Sequence, residues 1–297
     1  MITMASYNSD SIIGKQIGTS IVLSELARGS MAIVFVAYQK TLKRRIAVKI
    51  LPKSFLTNKS AMLFQQEAES AAILSHPNII PIYEVGETKE FLFFTMQLIQ
   101  GFPLTHLLNM AQKQVLPSKR SIPLKQTIQF ITLILDALHY AHQQDIIHRD
   151  IKPDNILIEK HSYRPIITDF GVAKVLREEK DDHSMMLGTP LYMAPEQIIG
   201  ETMGARSDIY AIGIMLFQML VPNLPLPKFE SSDALLKFKL LNKKGFFKKK
   251  PSELNPFLRK EMDKIVGRAI KYEAENRYNN CQEFRSELEW YHQTFLE

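Results

Sequence analysis

A polar octet between two apolar runs constrains this chain more than any other stretch. Residues 148–155 read His-Arg-Asp-Ile-Lys-Pro-Asp-Asn, with Ile146 and Ile147 before them and the apolar trio 156–158 after them. Short apolar runs bounded by turn residues are typical of buried strands. A polar turn between two such runs predicts a rigid loop that carries functional side chains on a buried scaffold.

A second acidic position follows at a spacing that suits phosphoryl transfer. Asp150 and Asn155 stand in the order of a base and a metal ligand, the H-R-D-x-x-x-x-N pattern of phosphoryl-transfer loops. Asp169 follows the apolar pair 166–167 and Thr168, and Phe170 comes next. With Asn155, Asp169 predicts a Mg²⁺ site, because this hard cation takes carboxylate and amide oxygens. Asp-Phe-Gly alone would also fit a plain turn.

Composition excludes few classes of protein. The chain has 297 residues, of which 45% are hydrophobic and 23% charged, as in an ordinary soluble protein. The lone Cys281 excludes an intramolecular disulfide and favours a reducing, cytoplasmic location. We expect it to be a small side chain on a helix surface rather than a catalytic thiol. No membrane span is expected, because the longest apolar stretch, 209–220, is too short.

The positive charge is the second compositional feature. The net charge of +6 suits anionic partners but is weak support for nucleic acid, which we do not expect. The lysine run between residues 237 and 250 predicts a solvated face, with a binding role as the alternative.

The order of predicted elements changes along the chain. Residues 1–18 predict a polar leader with little to bury. Strands are predicted at 21–26, 33–38, 45–51, 79–83 and 91–98, and a helix at 59–75. Further helices are predicted at about 104–113, 124–143, 208–220, 231–241, 258–271 and 280–295.

The turn between the first two strands stands where a phosphate-covering loop would stand. It keeps only Gly29 of a G-x-G-x-x-G pattern, with Ala27 and Ala32 at the other positions. It lies between two strands rather than before a helix, which excludes a P-loop or a Rossmann turn. An ordinary hairpin turn is the alternative.

Lys49 and Glu67 are predicted to pair. Ala47 and Lys49 share one face of a strand by its period of two, so Lys49 needs an anion if that face is inward. Glu67 lies on the apolar stripe of helix 59–75, where a carboxylate needs a cation. The alternatives are a Lys49 that extends from an edge strand to water and a partly exposed Glu67.

These motifs, in this order, resemble the eukaryotic-like (Hanks-type) Ser/Thr protein kinases, in their bacterial branch. The resemblance runs from about residue 20 to 290. It is carried by Gly29, Ala47 to Lys49, Glu67, residues 148–155, residues 169–171, residues 188–196, Asp208 and Arg277. It implies an α+β two-lobed fold, with a small β-rich lobe at 19–98, a larger helical lobe at 99–297, and ATP bound between them.

The resemblance implies catalytic roles for five residues. Asp150 is the expected base, and Lys152 is expected to neutralise charge on the transferring phosphoryl group. Lys49, fixed by Glu67, is expected to hold the α- and β-phosphates. Thr189 is expected near Asp150, where it helps to seat the acceptor hydroxyl. Lys152 and Thr189 match the Ser/Thr pattern rather than the tyrosine-kinase pattern.

The resemblance also implies a metal site and a nucleotide pocket. Asn155 and Asp169 are the expected ligands of Mg²⁺ or Mn²⁺. Residues 97–99 are the expected hinge beside the adenine. The residues implied around ATP are Leu26, Ala27, Gly29, Val34, Ala47, Lys49, Met96, Gln97, Ile99 and Leu157.

Other implied roles are structural. Glu196 and Arg277 resemble a buried ion pair of the large lobe, and Asp208 resembles the carboxylate that holds the catalytic loop. Arg149 before Asp150 implies that an anion between Gly171 and Gly188 pairs with it. Ser184 is the only hydroxyl residue in that interval. Our hypothesis is that phospho-Ser184, formed by autophosphorylation, or the acidic run 178–182 supplies this charge.

The expected activity is transfer of the γ-phosphoryl group of Mg-ATP to Ser/Thr hydroxyls of proteins. The alternative is a pseudokinase-like, nucleotide-binding scaffold, supported only by the incomplete glycine pattern. Phosphotransfer to small molecules is disfavoured, because residues 188–196 resemble a peptide-docking platform. Related bacterial kinases also imply a homodimer formed through the small lobes.

Overall fold

The computed structural model describes residues 8–29, 32–114, 121–170 and 190–296. The small lobe is an antiparallel sheet whose strands lie in the order β1-β2-β3-β4-β6-β5. Its strands are β1 (Gln16–Ile17), β2 (Ser20–Arg28), β3 (Ile33–Gln39), β4 (Arg44–Pro52), β5 (Ile82–Glu87) and β6 (Phe91–Met96). One helix, α1 (Asn58–Ala72), packs against this sheet, with the Phe64 and Phe94 rings 5.8 Å apart.

Side chains of β4 alternate between two apolar clusters, as the period of a strand requires. Ala47 lies with Phe64 and Met96 in the cluster on the α1 side. Val48 and Ile50 lie in the cluster on the other face. The predicted division of this strand is therefore confirmed.

The described part of the predicted leader buries more than expected. Ile12 and Ile17 are 0% and 2% exposed and belong to the cluster that contains Val48 and Ile50. Gln16 and Ile17 also pair with β2. The expectation of a leader that buries little is wrong for these residues, because two isoleucines close the outer face of the sheet.

The strand predicted at 79–83 is displaced. The fifth strand instead covers Ile82–Glu87. Ile79 bridges to Ile167 of the large lobe, and Ile80 N–H donates to Ile167 C=O at 2.9 Å. The apolar pattern of Ile79 and Ile80 reflects their contact with the other lobe rather than a strand. The strand was therefore predicted too early in the sequence.

The large lobe is mainly helical. A small sheet comprises β7 (Gly101–Pro103), β8 (Ile156–Glu159) and β9 (Pro165–Ile167). The helices are α2 (Leu104–Gln112), α3 (Leu124–His142), α4 (Pro195–Ile198), α5 (Ala205–Leu220), α6 (Ser232–Leu241), α7 (Pro251–Leu254), α8 (Lys260–Ala269) and α9 (Cys281–Phe295). Helix α5 is the centre of the core, with 13 of its 16 residues buried. No helix within the described ranges has both the length and the apolar character to cross a membrane.

Candidate active site

The octet 148–155 leads into β8, and a buried carboxylate from α5 holds its first residues. The backbone N–H groups of His148 and Arg149 each donate to Asp208 at 2.9 Å, and His142 Nε2 lies 2.8 Å from the same carboxylate. Burial alone would raise the pKa of Asp208, but the His142 hydrogen bond and the charges of both histidines hold it below its usual value. Arg149 has φ = 68°, a strained conformation that these bonds stabilise.

Three polar side chains of the octet converge. Lys152 Nζ donates to Asp150 Oδ2 at 2.7 Å, and Asn155 Nδ2 donates to the same oxygen at 3.0 Å. Asn155 Nδ2 also donates to the Asp150 carbonyl at 2.8 Å, which closes the loop on itself. Among the described residues, none donates to Asp150 Oδ1 or Asn155 Oδ1.

Lys49 of the small lobe reaches Asp169 of the large lobe. The Lys49 ammonium donates to Asp169 Oδ1 at 2.7 Å. Burial alone would raise the pKa of Asp169, but the Lys49 ammonium, with smaller effects from His148 and Lys152, holds it below its usual value. Asp169 is therefore a carboxylate, held at φ = 62°.

The two acidic loops are tied together. Thr168 N–H donates to the Asn155 carbonyl at 2.9 Å, and His148 Nε2 lies 2.8 Å from the Thr168 carbonyl. The Phe170 ring packs on His148 with centroids 4.6 Å apart. These contacts place the side chains of Asn155 and Asp169 on adjoining loops.

The oxygens that have no described donor suit a divalent metal bound together with phosphates. In the part of the chain that the structure describes, no three His, Cys, Asp or Glu side chains form a metal-binding group. Asn155 Oδ1 and Asp169 Oδ2 have no described hydrogen-bond donor. One amide and one carboxylate oxygen match Mg²⁺ and Mn²⁺, which are completed by waters and substrate phosphates.

Most residues predicted around adenine lie together. Ala47 and Met96 are paired across β4 and β6 and are buried, and Val34 and Ile99 pack on the same cluster. Leu157 of β8 is half-buried beside Ile166, which belongs to that cluster. Adenine binding by these residues stays a prediction.

The remaining predicted nucleotide residues lie at the edge. Gln97 N–H donates to the Pro81 carbonyl at 3.1 Å, and Gly29 N–H donates to the Ala32 carbonyl at 2.9 Å. Ala27 pairs with Val34 across the hairpin. Leu26 is 52% exposed, so it does not belong to the apolar walls.

Several predictions fall outside the described residues. They are the Glu67 side chain, Gly171, the acidic run 178–182, Ser184 and Thr189. The Lys49–Glu67 pair and the role of Ser184 therefore stay predictions.

Most of the chain is similar to a known protein family. The profile of the protein kinase domain matches residues 21–288. The chain belongs to the protein kinase domain family. Its fold agrees, because the PknI kinase domain of Mycobacterium tuberculosis superposes with a TM-score of 0.72 at 24% identity, covering 94% of this chain and 97% of that one.

Curated relatives of this kinase domain are named Ser/Thr kinases. The chain is 34% identical over 272 residues to the probable serine/threonine-protein kinase PknB of Lactococcus lactis, covering 90% of this chain and 41% of that protein. It is 32% identical over 282 residues to the serine/threonine-protein kinase PrkC of Bacillus subtilis, covering 93% and 41%. This chain thus spans about two fifths of the length of these relatives.

The large lobe of the kinase domain contains the expected ion pair. Arg277 donates to both oxygens of Glu196, at 2.7 and 2.8 Å. Its other N–H groups donate at 2.8 Å to the carbonyls of Lys271, Arg206 and Tyr272. All five donors of the guanidinium are therefore used inside the protein.

A buried lysine was missed by the sequence analysis. Lys239 of α6 is 1% exposed and donates to the carbonyls of Pro190, Leu191 and Met193 at 3.2, 2.7 and 2.7 Å. We call residues 190–196 the platform segment. Burial, with a smaller effect of Arg277, lowers the pKa of Lys239 well below its usual value. Lys239 stands in the run 237–250, where an exposed lysine was expected, and only its period on α6 with buried Leu236 signals burial.

Cys281 is buried, whereas a position on a helix surface was predicted. Its environment still fits the prediction that it is not a catalytic thiol. It is fully buried at the start of α9 rather than on a helix surface. Burial raises the pKa of its thiol well above the usual value, which makes a reactive thiolate unfavourable.

Proposed function

We propose that this chain is the catalytic domain of a protein kinase that transfers the γ-phosphoryl group of ATP to Ser or Thr hydroxyls of proteins. The observation that carries the proposal is the convergence of Lys49, Asp150, Lys152, Asn155 and Asp169 in one cleft between the lobes. A scaffold that binds nucleotide without turnover has no need of Asp150 and Lys152 in contact at 2.7 Å.

In this proposal, Asp150 accepts the proton of the attacking hydroxyl at Oδ1. A bond forms between the hydroxyl oxygen and the γ-phosphorus, and the bond to the bridging β-γ oxygen breaks. Lys152 lies beside Asp150 and stabilises negative charge on the transferring group. Lys49, which donates to Asp169 at 2.7 Å, binds the α- and β-phosphates.

The apolar walls orient the nucleotide. Ala47, Met96 and Val34 bind the purine from the small lobe, and Leu157 closes it from below. Asn155 Oδ1 and Asp169 Oδ2 would hold Mg²⁺ or Mn²⁺, which neutralises phosphate charge when bound. The chemistry is mostly positioning and electrostatic stabilisation.

The proposal is tested by incubation of the purified chain with γ-labelled ATP, a basic acceptor protein and either Mg²⁺ or Mn²⁺. Label on the acceptor, absent from Asp150→Asn and Lys49→Met, is expected. Phosphosite mapping of the chain tests autophosphorylation at Ser184, and sedimentation tests pairing through the small lobes. Absence of label, with ATP still raising the melting temperature, would favour the scaffold.

A further inference from the structure

A cavity with a basic rim lies in the large lobe, away from the ATP cleft. Its rim is formed by Lys243, Lys244, Lys249 and Lys250 after α6, and by Lys271 after α8. Its floor is apolar and includes Phe247, Val266, Ile270 and Tyr272. We call it the basic cavity. At about 260 Å³ it is smaller than typical sites of drug-sized ligands, and it suits one or two bulky side chains.

The charge of this region is not balanced locally. Residues 239–271 contain eleven Lys and Arg and three Asp and Glu, a net charge of +8, whereas the whole chain carries +6. The rest of the chain therefore carries −2. The positive charge of the protein is concentrated here, which attracts anionic partners.

The rim lysines are exposed and have no carboxylate partner within 4.0 Å among the described residues. Lys243 lies over the Tyr272 ring at 4.9 Å. The one acidic residue of the wall, Asp263, is engaged elsewhere, because it accepts from Ser252 N–H at 2.8 Å and Ser252 Oγ at 2.6 Å. The rim charges are thus available to a ligand.

A glycine lines the basic cavity at a position where a larger side chain has room. Gly267 lies inside α8 and lines the cavity, yet a Cβ added there meets no atom within 4 Å. Gly213 of α5 is different, because a Cβ there would approach Ala269 Cβ and Ile270 Cγ2 at 2.7 Å. Packing explains Gly213, whereas glycine at position 267 costs helix stability without a packing reason. Gly267 thus leaves open space on a helix that lines the basic cavity.

We propose that the basic cavity docks an acidic segment of a partner protein, anchored by one bulky apolar side chain on the floor. The lysine rim binds the carboxylates and the concave apolar floor binds the anchor. A membrane surface is favoured by apolar side chains that protrude. Leu241 beside the rim does protrude, whereas the floor of the basic cavity is recessed, so membrane binding is an outcome of the test below. Single-stranded nucleic acid needs exposed aromatic faces on which bases stack. Lys243 lies over the Tyr272 ring, and the Phe247 ring packs against Phe217 and Phe246 with centroids 4.6 Å apart.

The basic cavity adjoins the platform segment. Lys239 lines the cavity and holds three carbonyls of that segment. A docked protein would therefore lie next to the surface expected to receive the acceptor peptide. This consequence rests on the proposed function, whereas docking itself does not.

Docking is tested by fluorescence anisotropy on the whole chain without ATP. The probe is a labelled peptide of glutamates around one central phenylalanine. The quadruple variant K243E/K244E/K249E/K250E and the cavity-filling variant Gly267→Leu are each expected to weaken binding by roughly tenfold or more. Gly267→Leu leaves every charge in place, so it tests the recess alone.

The matched control is K40E/K89E/K125E/K160E, which reverses four exposed lysines elsewhere and is expected to keep the affinity within about twofold. Equal binding of a peptide with serine for the phenylalanine, or unchanged binding by Gly267→Leu, would overturn the proposal. So would binding to anionic phospholipid vesicles that the peptide does not compete with. Because the assay needs no catalysis, its failure is distinct from failure of kinase activity.

Discussion

Two ion pairs, Arg277–Glu196 in the large lobe and Lys49–Asp169 in the cleft, use similar charges but differ in the number of described hydrogen bonds made by the cation. Arg277 in the large lobe directs all five N–H donors to Glu196 and to backbone carbonyls. Lys49 in the cleft makes one hydrogen bond to a described residue, Asp169. A cation whose donors are all used by the protein can only stabilise the fold, whereas we expect Lys49 to bind phosphate as well. This difference separates structural from catalytic charges better than distance does.

The largest effect is expected on the rate of phosphoryl transfer, at Asp150 in the cleft. Asp150→Asn removes the proton acceptor while keeping the shape, and should lower the rate of phosphoryl transfer by roughly 10²- to 10⁴-fold. The free energy of unfolding should change by less than about 1 kcal/mol. Initial rates of label transfer and urea unfolding measure the two. Asp154→Asn, at an exposed carboxylate that accepts from Thr105, is the control, and an equal loss of rate there would contradict the assignment.

At the Arg277–Glu196 pair, the main loss is expected in stability rather than in the rate of phosphoryl transfer. Arg277→Met leaves the Glu196 carboxylate buried without a cation, which should lower the free energy of unfolding by about 3–5 kcal/mol. Urea unfolding measures it. The double variant Arg277→Met/Glu196→Gln should lose less unfolding free energy than the sum of the two single losses. Additive losses would mean that the two side chains do not act as a pair.

Lys239 tests whether a buried cation whose hydrogen-bond partners are all backbone carbonyls also stabilises the fold. Lys239→Met leaves the Pro190, Leu191 and Met193 carbonyls without their donor, and should lower the free energy of unfolding by about 1–3 kcal/mol. Lys237→Met, on the exposed side of the same helix, should change it by less than about 0.5 kcal/mol. Equal losses in thermal and urea unfolding would mean that the three bonds contribute nothing.

The pH dependence of the large-lobe pair has a definite sign. Burial alone would raise the pKa of Glu196, but Arg277 lowers it below the ordinary 4.5. Because the folded pKa is depressed, the stabilisation is complete above 4.5 and is lost as the pH falls through the folded pKa. The difference in unfolding free energy between the natural protein and Glu196→Gln should narrow below pH 4.5. A constant difference across that range would exclude this linkage.

The smallest effect is expected at an exposed pair of short distance. Lys53 Nζ lies 2.6 Å from Glu87, closer than Lys49 to Asp169 at 2.7 Å. Water screens it, so Lys53→Ala should change the free energy of unfolding by less than about 1 kcal/mol. A larger loss in urea unfolding would mean that a short distance between the charged atoms does indicate a large stabilisation.

Local patterns predicted the features that depend on neighbouring residues. The octet 148–155, Asp169 and the two faces of β4 follow from residue type and strand period. Lys239 could not be predicted, because its partners are carbonyls of residues 190–193, distant in sequence. Ile79 and Ile80 gave a strand at the wrong place because their partner, Ile167, belongs to the other lobe. Burial of Ile12 depends on a sheet face that only the assembled lobe creates.

Because three carbonyls hold the Lys239 amine, its rate of chemical labelling reports on local opening of the structure. An amine-directed acylating reagent must reach the nitrogen, and Lys239 is 1% exposed with its amine held by three carbonyls. Exposed Lys237 reacts at once, whereas Lys239 reacts only when α6 separates from the platform segment. The ratio of the two labelling rates, read by mass spectrometry, therefore measures how often this local opening occurs in the native protein.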